Sequence, residues 1–184
     1  MRKTWMFYGL FFYFSLFGGL ANAQDALTQL QQMYMMKELL PEMQTAGIIV
    51  NGSSVDMAEL QQKLERVSAT LKIKIVISDA RSLKDVSAEF KKITGNHSID
   101  MLWVYQADDV LGNNIAKDFL IKNSVIQKIP MLVPDETWVK AGAFIALCKK
   151  EGKTSLSVNP QTAKALGISV PEKHLPQTEF FAAQ

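Results

Sequence analysis

A chain of 184 residues has room for one domain with an ordinary core and hardly for two. Its formal charge of +2 belongs to Arg2 and Lys3; without them the 18 remaining bases equal the 18 acids. A neutral domain gives no electrostatic case for nucleic acid or for an anionic membrane. The single cysteine, Cys148, rules out an internal disulfide, and no cysteine cluster proposes a metal site.

The first 23 residues read as a secretory leader. Arg2 and Lys3 start it, residues 5–20 form an uncharged apolar run, and Ala21-Asn22-Ala23 has the small-x-small pattern of a cleavage site. Cleavage after Ala23, with Gln24 as the new N-terminus, implies export to the periplasm. An uncleaved anchor is the rival reading, because the 16-residue run is only somewhat shorter than the ~20 residues of a membrane span. No cysteine follows the run to accept a lipid.

Residues 24–45 then read as an N-terminal helix, residues 46–170 as an α/β domain and residues 171–184 as a tail. The helix spans residues 25–40, with Asp25 as N-cap, Leu27, Leu30 and Tyr34 inward, and Pro41 as its limit. Met33, Met35, Met36 and Met43 suit packing on a core or a partner better than a thioether copper site. Residues 46–50 form a short strand broken by Asn51-Gly52-Ser53-Ser54. Ser54 or Asp56 caps a helix to Leu71, which turns Leu60, Leu64 and Val67 to one side. A second strand covers residues 73–78, and Ser82 starts a helix carrying Val86, Phe90 and Ile93.

Residues 99–105 are nearly continuously apolar, which marks a strand buried on both faces. Gln106-Ala107-Asp108-Asp109 ends it abruptly. A helix follows through Asn123, with Ile115, Phe119 and Leu120 inward, and then a fourth strand at residues 131–133. Pro134-Asp135-Glu136 opens a short helical turn bearing Trp138 and Val139. A fifth strand spans residues 144–148, where Cys148 reads as a small buried hydrophobe. A turn at residues 151–153 leads to a sixth strand at 155–159, and Pro160 opens a last helix that ends at Gly167. A short helical piece is expected around His174.

Strands alternating with helices imply an α/β fold. Its core is a single open, mostly parallel sheet of five to six strands in the flavodoxin-like order 2-1-3-4-5, with helices on both faces. The last two strands are close enough in sequence to form an antiparallel edge hairpin.

No glycine-rich phosphate loop, nucleophile elbow or metal set is present, so neither an enzyme nor a cofactor is expected. His97 and His174 read as surface residues. What the topology brings together is a polar rim beyond the carboxyl ends of the strands: Asn51, Ser53 and Ser54, then Gln106, Asp108 and Asp109, then Asp135 and Glu136. These are the candidate ligand-binding residues. Serines at a helix start suit a carboxylate or phosphate, and the aspartates suit an ammonium group. Each residue type is also an ordinary helix cap.

Several runs resemble the second lobe of ABC-transporter substrate-binding proteins, in that family's order. They are Lys37-Glu38-Leu39-Leu40-Pro41 with Gly47-Ile48-Ile49-Val50-Asn51, residues 99–109, residues 129–134 with 138–143, and Val158-Asn159 with Thr162-Ala163-Lys164-Ala165-Leu166-Gly167. The resemblance implies a non-enzymatic periplasmic protein that binds a small, possibly amino-acid-like ligand. The chain has room for one lobe where the family has two. The strand, asparagine and alanine-rich helix at the end also resemble YfiR-type periplasmic regulators, which implies a membrane-associated protein partner instead. In that reading the methionine-rich helix and Phe180-Phe181 supply contact surface. A homodimer that joins two rims is a further way to rebuild a two-sided cleft.

Overall fold

A computed structural model describes residues 26–182. The leader and Asp25 lie outside the described residues. The first helix, α1 (Gln29–Leu39), starts at Thr28, whose hydroxyl accepts from the Gln31 amide while the Gln31 side chain accepts from the Thr28 amide. This reciprocal cap satisfies two otherwise orphaned donors.

The strands are β1 (Thr45–Val50), β2 (Lys74–Asp79), β3 (Met101–Val104), β4 (Met131–Val133), β5 (Ile145–Lys150), β6 (Lys153–Val158) and β7 (Thr178–Phe180). They form one sheet in the order β2-β1-β3-β4-β5-β6-β7, all parallel except the β5–β6 pair. The expected 2-1-3-4-5 order is present, followed by the expected antiparallel hairpin. The hairpin closes through Glu151 and Gly152, both at positive φ (52° and 76°), the geometry that matches the twist of paired strands. The sheet has seven strands rather than five or six. Residues 178–180 of the expected tail pair with β6, and the apolar alternation of so short a segment is too weak to announce it.

The remaining helices are α2 (Met57–Leu71), α3 (Leu83–Asn96), α4 (Asn114–Ile126), α5 (Glu136–Lys140) and α6 (Pro160–Leu166), with a 3₁₀ turn at Glu172–Gln177. Right-handed crossovers dictate their sides. The step from β1 to β2 runs one way along the sheet, and the steps through β3, β4 and β5 run the other way. So α2 covers one face, and α3, α4 and α5 cover the opposite face. The first face would be bare over β3 to β6. There α1 packs, placing Met33, Met36, Leu39 and the following Met43 against Trp103, Leu132, Phe144 and Leu156 within one apolar cluster.

All four methionines at 33, 35, 36 and 43 are buried, so of the two packings expected for them, core or partner, they take the core. Other expectations are overturned. Leu30 and Tyr34, expected inward, are 40% and 54% exposed, because the methionine side of α1 faces the sheet. Ile115 is 74% exposed; Leu120 is buried as expected, with Ala116 and Ile121 beside it. Cys148 is exposed, since β5 runs past its helical cover there. His174 is buried, with Nε2 2.8 Å from Glu38 Oε2 and Nδ1 2.9 Å from Gln177 Nε2. That contact, together with a 2.7 Å Lys173–Glu38 pair, ties the C-terminal segment to the end of α1.

Trp103 is 1% exposed on β3, beneath the α1 cover. Trp103→Ala is expected to cost about 3–5 kcal/mol. Urea unfolding followed by far-UV circular dichroism checks this, and a loss near 1 kcal/mol would contradict the packing described.

Candidate functional site

The parallel strands end on one edge, so the turns after β1, β3, β4 and β5 converge there. Asn51, directly after β1, is buried, and its Oδ1 accepts from the Ser53 amide at 3.0 Å. Gly52 donates its amide to Asp79 Oδ1 at 2.7 Å, which ties the turn after β1 to the end of β2. A Cβ at position 52 would stand 2.6 Å from Asp79 Oδ2, so a larger residue would have to displace the carboxylate that holds this turn.

The turns after β1 and β3 are joined by side chains. Ser54 Oγ lies 2.9 Å from both the Asn51 carbonyl and Asp108 Oδ2, and accepts from Gln106 Nε2 at 2.9 Å. One hydroxyl proton serves one acceptor at a time, so the serine alternates between two partners. Asp108 Oδ1 accepts from the Val110 and Leu111 amides at 2.8 and 3.0 Å. Burial pushes the Asp108 carboxyl up. The bonds from Leu111, Val110, Ser54 and Asn51 outweigh burial and hold it below the usual aspartate range.

The rim therefore divides. Asn51, Ser54, Gln106 and Asp108 form one connected network, with Ser53 at its margin. Asp135 and Glu136 stand apart from it at the start of α5. Asp135 accepts from the Thr137 amide at 2.8 Å, and Glu136 pairs with Lys140 at 2.7 Å, which lowers its carboxyl pKa. Asp109 is exposed beside the network. The capping duty weighed for these residues is real for Asp108 and Asp135. A ligand that displaces it must replace the backbone bonds those carboxylates already accept.

A crevice of about 380 Å³ opens next to the network, over the carboxyl ends of β3, β4 and β5. Tyr105, Gln106, Pro134, Leu147 and Cys148 line one side. Ala26, Leu27 and Gln32 close the other side from the N-terminal segment, held by a 2.9 Å bond from Gln29 Nε2 to the Tyr105 hydroxyl. Among the sequence-derived candidates only Gln106 lines it. Tyr105, Leu147 and the N-terminal residues were not among them. The parallel order placed the end of β5 on this edge, and that signal pointed at residues 147–150. Nothing local marked Leu27 or Gln32, which arrive through the fold. Among the described residues no group of acidic, histidine or cysteine side chains is arranged to hold a metal ion.

An open α/β sheet commonly holds its ligands beyond the carboxyl ends of its strands, where this crevice lies. The chain belongs to the ABC transporter substrate binding protein family, whose model matches residues 17–154. The solved structures it resembles share its fold. A conserved domain protein from Vibrio cholerae aligns with a TM-score of 0.70 at 22% identity, over 84% of this chain and 60% of that one. The ligand-free, open structure of a substrate binding protein with adhesive properties from Clostridium difficile gives 0.70 at 17%, over 86% and 61%. An ABC domain from Streptococcus pneumoniae in complex with L-Trp gives 0.66 at 17%, over 83% and 61%. The chain thus spans about 60% of the length of the structures it matches. The comparison with curated proteins finds no match.

Asp108→Ala is expected to cost about 1–2 kcal/mol, because two backbone amides lose their acceptor, while Asp108→Asn keeps an oxygen in place and costs less. The depressed Asp108 pKa makes its contribution present above the ordinary aspartate value and lost as pH falls through the lowered one. Urea midpoints recorded from neutral pH into that acid range should fall less steeply for Asp108→Asn than for the parent chain. Parallel pH profiles would refute the role given to the carboxylate.

Proposed function

We propose that the chain is a non-enzymatic, exported binding protein that takes a small amphipathic solute into the crevice at the carboxyl edge of its sheet. Family membership supports binding, and members of the family usually work outside the cytoplasm. The apolar run and small-x-small pattern of residues 5–23 support export. No helix among the described residues is long and apolar enough to cross a membrane.

The observation that carries the reading is the lining of the crevice. Its size falls in the range of small-molecule sites. Leu27, Pro134, Leu147 and the Tyr105 ring offer apolar walls, whereas Gln32 and Gln106 offer amide donors and acceptors. Lys149 and Lys150 complete the lining, with Lys150 paired to Glu179 at 2.6 Å, so the carboxyl of a solute is met by the two side-chain amides. An amino acid or small organic acid with an apolar body matches this set. The N-terminal segment takes the place of a second wall, so the single lobe encloses more of a ligand than an open sheet edge does.

Calorimetric titration of residues 24–184 with L-tryptophan, other amino acids and small organic acids tests this. Heat of binding with at least one is expected. Cys148→Trp, an exposed position facing the crevice, is expected to fill it and weaken that binding about tenfold or more, equivalent to ~1.4 kcal/mol. The melting temperature should stay near the parent value. No heat with any compound, or unchanged affinity in Cys148→Trp, would refute the crevice as the binding site.

A further inference from the structure

The sheet has two unequal edges. β7 is three residues long and its Glu179 is paired with Lys150 at 2.6 Å. β2 is six residues long, contains no proline and carries the apolar stretch Ile75-Val76-Ile77, each residue only partly buried. Long apolar edges invite pairing with another strand unless something blocks them.

The hydrogen-bond pattern says which residues are free to pair. Lys74 donates its amide to Gln44 and Ala80 donates to Val50, both toward β1. Alternation along a strand then turns the backbone groups of Ile75 and Ile77 outward. Ile73 takes no part, because its amide and carbonyl are both engaged by Ser68, at 3.3 and 2.7 Å. The outward side of β2 opens into a groove of about 480 Å³ whose floor is Leu64, Ile75 and Ile77.

We propose that β2 is a dimerisation edge. Two copies pair antiparallel about a two-fold axis at Val76, with Ile75 of each opposite Ile77 of the other. The strand is self-complementary in this register. The Ile75–Ile77 pairs exchange four backbone hydrogen bonds, and all four isoleucines lie on the α2 side, where with Leu64 they form an apolar strip bordered by Gln61, Glu65 and Ser68 of each α2. Val76 meets Val76 on the opposite side, and Lys74 meets Ser78, so no like charges face each other. Shifting the register by two residues would instead place the Asp79 carboxylate against Ile75. The contact is isologous and closes at two copies. It joins edges remote in strand order from β3, β4 and β5, so both crevices stay open, unlike a dimer that joins two rims.

Analytical ultracentrifugation of residues 24–184 over the micromolar range tests the proposal. A monomer–dimer equilibrium is expected. Ile75→Lys and Ile77→Glu should each sediment as folded monomers, with folding checked by circular dichroism. An equimolar mixture of the two should recover a dimer, because the introduced lysine of one copy then faces the introduced glutamate of the other. Val76→Cys in a Cys148→Ser background should form an interchain disulfide on mild oxidation. A parent chain that stays monomeric throughout overturns the proposal. So do folded single variants that still dimerise as the parent does, or failure of the Val76→Cys chain to cross-link.

Discussion

The handedness of the crossovers governs this molecule. A right-handed connection must lie on one face when the chain steps one way along the sheet and on the other face when it steps back. The chain steps once from β1 to β2, then reverses and continues through β3, β4 and β5. Three consequences follow. The reversal sets the turns after β1 and β3 side by side at the carboxyl edge, where Ser54, Gln106 and Asp108 join them. It leaves β2 as a terminal strand with a free side. It also deprives the first face of crossover helices over most of its width.

The helix α1 resolves the last of these. Its methionines cover Trp103 and the neighbouring strands, a task suited to flexible, unbranched side chains that fill irregular gaps. In covering the face, α1 also brings Leu27 and Gln32 over the end of the sheet. One packing requirement thus supplies both half of the core and one wall of the crevice. Lys173 and His174 hold the far end of the helix through Glu38, so the C-terminal segment steadies the same cover.

The carboxylates at the edge work in the fold first. Asp108 and Asp135 accept backbone amides at turns that otherwise carry orphan donors, and a charged acceptor is stronger there than a neutral one. The polar network of Asn51, Ser54, Gln106 and Asp108 joins two turns and shapes the crevice margin. The lining itself comes mainly from apolar and amide side chains. A ligand that drew either carboxylate away from its turn would have to replace the backbone bonds it already accepts.

The sequence by itself determined the order of elements, the strand order and most helix boundaries. Those features rest on local signals: Asp56 and Ser82 at helix starts, Pro160 opening the last helix, the period of Leu60-Leu64-Val67, and the continuous apolar run at Met101–Val104. It also placed the candidate residues at the carboxyl edge of the sheet, since that follows from parallel order alone. Only the tertiary structure decided which way α1 faces. Leucine, tyrosine and methionine are interchangeable on a hydropathy pattern, and the choice among them depended on the shape of the gap to be filled. The same holds for β7 and for the burial of His174, where long-range pairing overrides weak local preference. It holds most of all for the crevice, because the residues that enclose it come from ends of the chain more than a hundred positions apart and meet only when the sheet is complete.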